Sequence, residues 1–261
     1  MPILDDILYA TRAGLPEVRA RRPALERAAA DRALPPSFTA ALRGETVKLI
    51  AEVKRRSPSA GAINEGLNPV TLAAAYARGG AAAISVLTDQ RFFGGSMADL
   101  EGVVAAVPAP VLRKDFILDE VQLLEARAAG AAAALLIVRA LDQPSLVRLH
   151  KFAVGIGLTP LVETHNTLEI ARAIDAGALV IGVNARDLDT FEIDTLGAWR
   201  LLLGIPPECI AVAESGMATV DDVTAAAAAG ADAVLVGSAL AAAGEPLVQA
   251  RLLSGVRRRA R

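Results

Sequence analysis

The stretch CIAVAESGMATVDDVTAAAAAGADAVLVGS (209–238) reads as one structural unit. It opens on an apolar run, CIAVAES (209–215), passes through a segment of helical spacing from Val220 to Ala229, stops at Gly230 and enters a second run, DAVLVGS (232–238). Runs that are apolar throughout, not on alternate residues, mark parallel strands buried on both faces. A helix between two such runs is the crossover that parallel strands need. The same pattern extends back to residue 47 through VKLIAEVK (47–54), AAAISVLT (81–88), PVLRKD (110–115), AAAALLIV (131–138), LTPLVET (158–164) and LVIGVNA (179–185). Run midpoints are spaced by roughly 26 residues, one βα unit each.

Eight such units is the count that closes a (β/α)8 barrel, an α/β fold that fits a chain of 261 residues; an open doubly wound sheet is the alternative. Other helical stretches run from Pro69 to Arg78, Asp119 to Ala129 and Leu168 to Ala176, and Gly79, Gly130, Gly177 and Gly230 stand where left-handed helix ends are expected. Residues 1–46 lie outside the repeat, Arg-rich and punctuated by Pro16, Pro23, Pro35 and Pro36. They are expected to form a helical N-terminal extension packed on a barrel of residues 47–261, the whole making a single domain.

Composition narrows the function. Apolar residues make up 53% of the chain, enough for a large core, and 27 basic against 29 acidic residues leave a net charge of -2. That balance gives no reason to expect nucleic acid or an acidic membrane surface as a partner. Six Phe, one Trp and two Tyr are too few for base-stacking platforms. The longest uncharged stretches, 66–77 and 233–244, have 12 residues, short of the ~20 that span a bilayer. Acidic Asp5 and Asp6 stand where a signal peptide would carry base, so a cytoplasmic location is expected. With Cys209, His150 and His165 as the whole complement of Cys and His, no metal site and no disulfide are expected. Cys209, at the start of its strand, is expected in the core, His165 as a solvated loop residue, and Arg257–Arg259 with Arg261 as a frayed, solvated end.

In a barrel, chemistry sits where the strands end. There the sequence places Glu52 and Lys54, Lys114, Glu163, Asn184, Glu214 with Ser215, and Gly237 with Ser238. Alternation puts Glu52 with Lys54, Leu161 with Glu163, Gly182 with Asn184, and Val212 with Glu214 on common faces, so these groups can face one mouth. Three Glu and two Lys in such a pocket would perturb one another's protonation. The chain has four lysines against 23 arginines, and two of the four fall at strand ends. Lys can be tuned to exchange protons and Arg cannot, so the choice points to proton or imine chemistry. Ser215-Gly216 and Gly237-Ser238 close the seventh and eighth strands, the usual phosphate position of the fold. The glycines of GIGLTP (155–160) lead into a strand instead of out of one, so they are not a dinucleotide fingerprint.

These residues resemble the indole-3-glycerol phosphate synthase family from about Ser37 to Leu240, through IAEVKRRSPS (50–59), ISVLTDQRFFGGS (84–96), VLRKDFI (111–117), LLIV (135–138), PLVETH (160–165), IGVNARDL (181–188), VAESGM (212–217) and DAVLVGSAL (232–240). The resemblance implies closure of 1-(2-carboxyphenylamino)-1-deoxyribulose 5-phosphate to indole-3-glycerol phosphate with loss of CO₂ and water, without a cofactor. It implies Lys114 as general acid at the ribulose carbonyl and Glu163 in acid/base exchange, with Lys54 paired to Glu52. Asn184, Arg186 and Glu214 would orient substrate, Ser57, Gly216, Gly237 and Ser238 would hold the phosphate, and Ser215 would be a further substrate-binding residue. Phe93, Phe116 and Leu188 would wall the anthranilate ring. Ala60 and Ala185 depart from common family residues, the first bearing on closure of the loop after the first strand. The partner expected is a small phosphorylated substrate, and the chain a monomer or weak homodimer. An imine-forming aldolase, a sugar-phosphate isomerase and a non-catalytic barrel remain the alternatives.

Overall fold

A computed structural model describes residues 3–58, 61–63 and 66–259. Eight parallel strands form a closed barrel: β1 (Lys48–Val53), β2 (Ala83–Leu87), β3 (Val111–Lys114), β4 (Ala133–Ile137), β5 (Thr159–Thr164), β6 (Val180–Asn184), β7 (Ile210–Glu214) and β8 (Ala233–Val236). Each pairs with its neighbours in sequence, and β1 meets β8 with Lys48 opposite Ala233 and Ala51 opposite Val236. All eight lie within the apolar runs. The strands are almost wholly buried because their outward faces are covered by helices and their inward faces by one another.

Alternation sorts the two faces. Ile50, Ala83, Leu112, Leu135, Leu161, Val180, Val212 and Leu235 point inward and pack together, while Leu49, Ile84, Val111, Leu136, Val162, Ile181, Ala211 and Val234 pack outward in the layer shared with the helices. The helices stop where a left-handed residue turns the chain back, at Gly130, Gly177 and Gly230. Gly79 departs from expectation: its φ is -73°, and Gly80, at +97°, makes the turn. Gly79 serves close packing instead, since a Cβ there would sit 2.7 Å from both Ala250 Cβ and the Leu247 carbonyl of helix Pro246–Leu253.

The segment before β1 packs on the barrel as helices Ile3–Ala20, Arg22–Asp31 and Phe38–Ala41. Arg19 pairs with Asp119, the N-cap that follows β3, at 2.6 Å, and Arg127 donates to the Arg32 carbonyl at 2.6 Å at the other end of helix Glu120–Ala129. The segment therefore runs from the mouth of the barrel to its base. The C-terminal arginines are not frayed as far as they are described. Val47 donates to Val256 O and Arg258 N to Glu45 O, both at 2.9 Å, and the Arg258 guanidinium pairs with Asp232. Their partners precede β1 and β8, far away in sequence; Arg261 lies outside the described residues. Among those residues no helix is long and apolar enough to cross a membrane.

Candidate active site

The inward-facing residues at the C-terminal ends of the strands surround a cavity of about 510 Å³. Every candidate named from the sequence lines it. Glu52 and Lys54 come from β1 and the residue beyond it, Lys114 from β3, Glu163 from β5, Asn184 from β6 and Glu214 from β7. Ser57, Ser215, Gly216, Gly237 and Ser238 border one part, and Phe93, Phe116, Arg186 and Leu188 border another. The rings of Phe93 and Phe116 lie 6.3 Å apart and tilted.

Lys114 sits at the centre. Its Nζ is 2.8 Å from Glu163 Oε2 and 3.5 Å from Glu214 Oε2. Asn184 donates to the other Glu163 oxygen at 3.2 Å and accepts from Ser215 Oγ at 2.8 Å and from the Arg186 amide at 3.0 Å. Lys54 Nζ meets Glu52 Oε1 at 3.0 Å. Glu163 and Glu214 are only 1% and 2% exposed, so their interactions act in a poorly solvated setting.

Protonation follows from this geometry. Burial opposes the Lys114 ammonium, but Glu163, Glu214 and Glu52 outweigh it and hold the pKa above the ordinary lysine value. Burial also pushes Glu163 upward, yet the adjacent Lys114, assisted by His165 and the Asn184 amide, brings it down to about 2. Glu214 is raised to about 8, first by burial, then by Glu163 and Glu52 acting against Lys114. Its Oε1 has no hydrogen-bond partner among the described residues. At neutral pH the site thus holds an ammonium, a carboxylate and a carboxylic acid in mutual reach.

Small residues make room for these groups. A Cβ at Gly182 would fall 2.0 Å from Glu214 Oε1, and one at Gly237 would fall 2.4 Å from Glu52 Oε1 and 3.1 Å from Lys54 Nζ. Gly237 therefore admits the Glu52–Lys54 pair, whatever anion it also faces. Ser215 has φ +67° and Gly216 +75°, and the strain at Ser215 is held by its bond to Asn184.

His165 is not the solvated loop residue expected. Its side chain is 7% exposed, with Nδ1 3.1 Å from Glu169 Oε2 and Nε2 3.6 Å from Glu163 Oε1. Cys209 is buried as expected, its thiol 3.4 Å from Ala178 O. Ala60 lies outside the described residues. Ala185 lines a neighbouring cavity and not this one. Sequence reading missed Asp89, Asp115, Leu135, Ile137, Phe191 and Met217 on the cavity wall. Leu135 and Ile137 were within reach, because the parity that placed Glu163 applies equally to β4. Arg113, which faces outward beside Lys114, was also missed. It is buried and binds Asp115 and Glu125, each at 2.9 Å, fixing the end of β3.

Residues 4–252 match the family model for indole-3-glycerol phosphate synthase. The chain belongs to the indole-3-glycerol phosphate synthase family. Among curated members of this family, indole-3-glycerol phosphate synthase 1 of Streptomyces coelicolor is 53% identical over 248 residues, covering 94% of this chain and 92% of its own. The indole-3-glycerol phosphate synthase of Mycolicibacterium smegmatis is 51% identical over 252 residues, with 94% and 90% covered. Among solved structures, 3-hexulose-6-phosphate synthase from Salmonella typhimurium superimposes with a TM-score of 0.65 at 18% identity, covering 79% of this chain and 96% of that one, a likeness of fold.

Proposed function

We propose that this indole-3-glycerol phosphate synthase family member closes 1-(2-carboxyphenylamino)-1-deoxyribulose 5-phosphate to indole-3-glycerol phosphate, with Lys114 as the proton donor that starts the reaction. The carrying observation is the Lys114 ammonium, 2.8 Å from Glu163 and facing an apolar-walled cavity. The carboxyl-bearing ring carbon attacks the ribulose carbonyl, and the carbonyl oxygen takes a proton from Lys114 as its charge builds. A raised pKa makes the ammonium a weak donor to a ketone, but the incipient alkoxide is far more basic, so transfer runs with carbon–carbon bond formation. Loss of CO₂ restores the aromatic ring. The hydroxyl then leaves as water on receiving a second proton from Lys114, recharged after the first transfer, while Glu163 accepts the proton that the intermediate sheds.

The Lys54–Glu52 pair is placed to neutralise the substrate carboxylate and to assist the dehydration. Asn184 and Ser215 keep Glu163 aimed, and Arg186 with Phe93, Phe116 and Leu188 would hold the anthranilate end. Ser57, Gly216, Gly237 and Ser238 would face the phosphate. An imine-forming aldolase would need Lys114 as the free amine, which its glutamate neighbours, Glu163 first, disfavour. No step here calls for a cofactor or metal. The reading carries with it a cytoplasmic enzyme, monomeric or weakly dimeric, with no nucleic-acid or membrane partner. Incubating the purified chain with this substrate should generate indole absorbance, and Glu163→Gln should abolish most of it. Equal rates in parent and variant would remove Glu163 from the mechanism.

A further inference from the structure

Decarboxylation leaves the reaction one proton short. The substrate carboxylate departs as CO₂, the carbonyl oxygen and the leaving hydroxyl each take a proton, and only one returns from the intermediate. Each turnover therefore draws one proton from water, while Glu163 and Glu214 are buried.

A second cavity, of about 730 Å³, adjoins the first and shares Asn184 and Ile193 with it. His165 lines the second cavity, along with Asp187, Glu192 and Asp194. Its imidazole stands between two carboxylates. Glu169 holds Nδ1 at 3.1 Å and the His165 amide at 2.8 Å, and is itself fixed by Asn166 Nδ2 at 3.0 Å. Nε2 is aimed at Glu163 Oε1, 3.6 Å away, and has no hydrogen-bond partner among the described residues. The charges around the ring are Glu163 from β5, with Lys114 beyond it, Glu169 from helix Thr167–Asp175, and the three acidic residues of the cavity. Arg139, paired with Asp187 at 3.3 Å and Asp189 at 3.4 Å, is a cation on that side and acts on Glu169.

We propose that His165 is a positioning residue for Glu163 that reloads the Glu163–Lys114 pair with the proton each turnover consumes, drawn from the second cavity. The step rests on the functional reading above. The Nε2–H bond breaks as an O–H bond forms on Glu163, which passes the proton to the Lys114 amine left by the first donation. The neutral imidazole keeps its Nδ1 proton on Glu169 and regains the other from water in the second cavity.

The test is His165→Ala, assayed with indole formation in the absence and presence of imidazole or pyrazole, a ring of the same shape with little basicity. We expect kcat to fall by about tenfold or more with KM within about twofold, less than the ~10²–10⁴ of a directly acting acid or base. Imidazole should restore much of the loss and pyrazole none. His165→Gln, which fills the space without a titratable ring, should show the loss without rescue, and matching circular dichroism would exclude misfolding. Undiminished kcat in His165→Ala, a loss that imidazole leaves in place, or equal rescue by both rings would overturn the proposal. Failure of the parent protein to form indole would instead count against the functional reading.

Discussion

Glu214→Gln isolates the unusual protonation of the site. In the folded protein Glu214 is raised from 4.5 to about 8, so between those values the folded state holds a proton that the unfolded state has lost. A group raised in this way contributes stability fully present below 4.5 and lost as pH rises toward 8. At about 1.36 kcal/mol per pH unit, tapering as the group itself ionises near 8, the stretch from pH 6 to pH 8 costs about 2 kcal/mol. For a chain of this size that is roughly 4–8 °C in melting temperature. Gln has the shape of the neutral acid and cannot ionise, so this part of the decline should vanish. Thermal unfolding followed by circular dichroism at pH 6 and pH 9, for parent and variant side by side, measures it. The parent should lose stability relative to Glu214→Gln across that interval. Parallel curves would refute the assignment of the proton to Glu214.

Lys114→Arg should retain charge but lose at least ~10²-fold in kcat, because Arg does not release its proton, and borohydride added during turnover should trap no substrate adduct on Lys114. A trapped adduct would revive the imine-forming alternative. Lys114→Met should also unfold more easily at neutral pH, by about 3–5 kcal/mol, since it strands the buried Glu163 carboxylate without its cation. Gly182→Ala should reduce activity by displacing Glu214, whose Oε1 would lie 2.0 Å from the new Cβ, and parent-like kcat would show that the carboxyl has room to move. Deleting residues 256–261 removes two backbone hydrogen bonds and the Arg258–Asp232 pair at the base of the barrel, and should lower the melting temperature by about 5–10 °C without changing KM. An unchanged melting temperature would mean the tail is only loosely docked.

The barrel was legible because parallel strands covered on both faces must be apolar throughout, so their polar terminal residues stand out. Period-two parity then placed Glu52, Lys54, Glu163, Asn184 and Glu214 at one mouth without reference to loops, and Lys114 joined them as a strand-end lysine; all line one cavity. Parity carries no information on contacts made between elements. The burial of His165 depends on Glu169 in the following helix and on the wall built by the β6–β7 connection, and the docking of Arg258 depends on Asp232 and Glu45. Phe191 enters the cavity through a left-handed backbone, φ +61°, held by Arg186 Nη1 on its carbonyl, and no residue type announces that at a Phe. Gly79 and Gly80 show a finer limit. Two adjacent glycines permit the turn at either, and packing against Ala250 decides which one takes it.

The most direct measurement is product stoichiometry with substrate carrying ¹³C in the anthranilate carboxylate. Indole-3-glycerol phosphate formation and labelled CO₂ release should proceed together, one of each per substrate consumed, and cease together in Lys114→Arg. Substrate that is isomerised or cleaved with its label retained, or no conversion at high enzyme concentration, would contradict the ring-closure account.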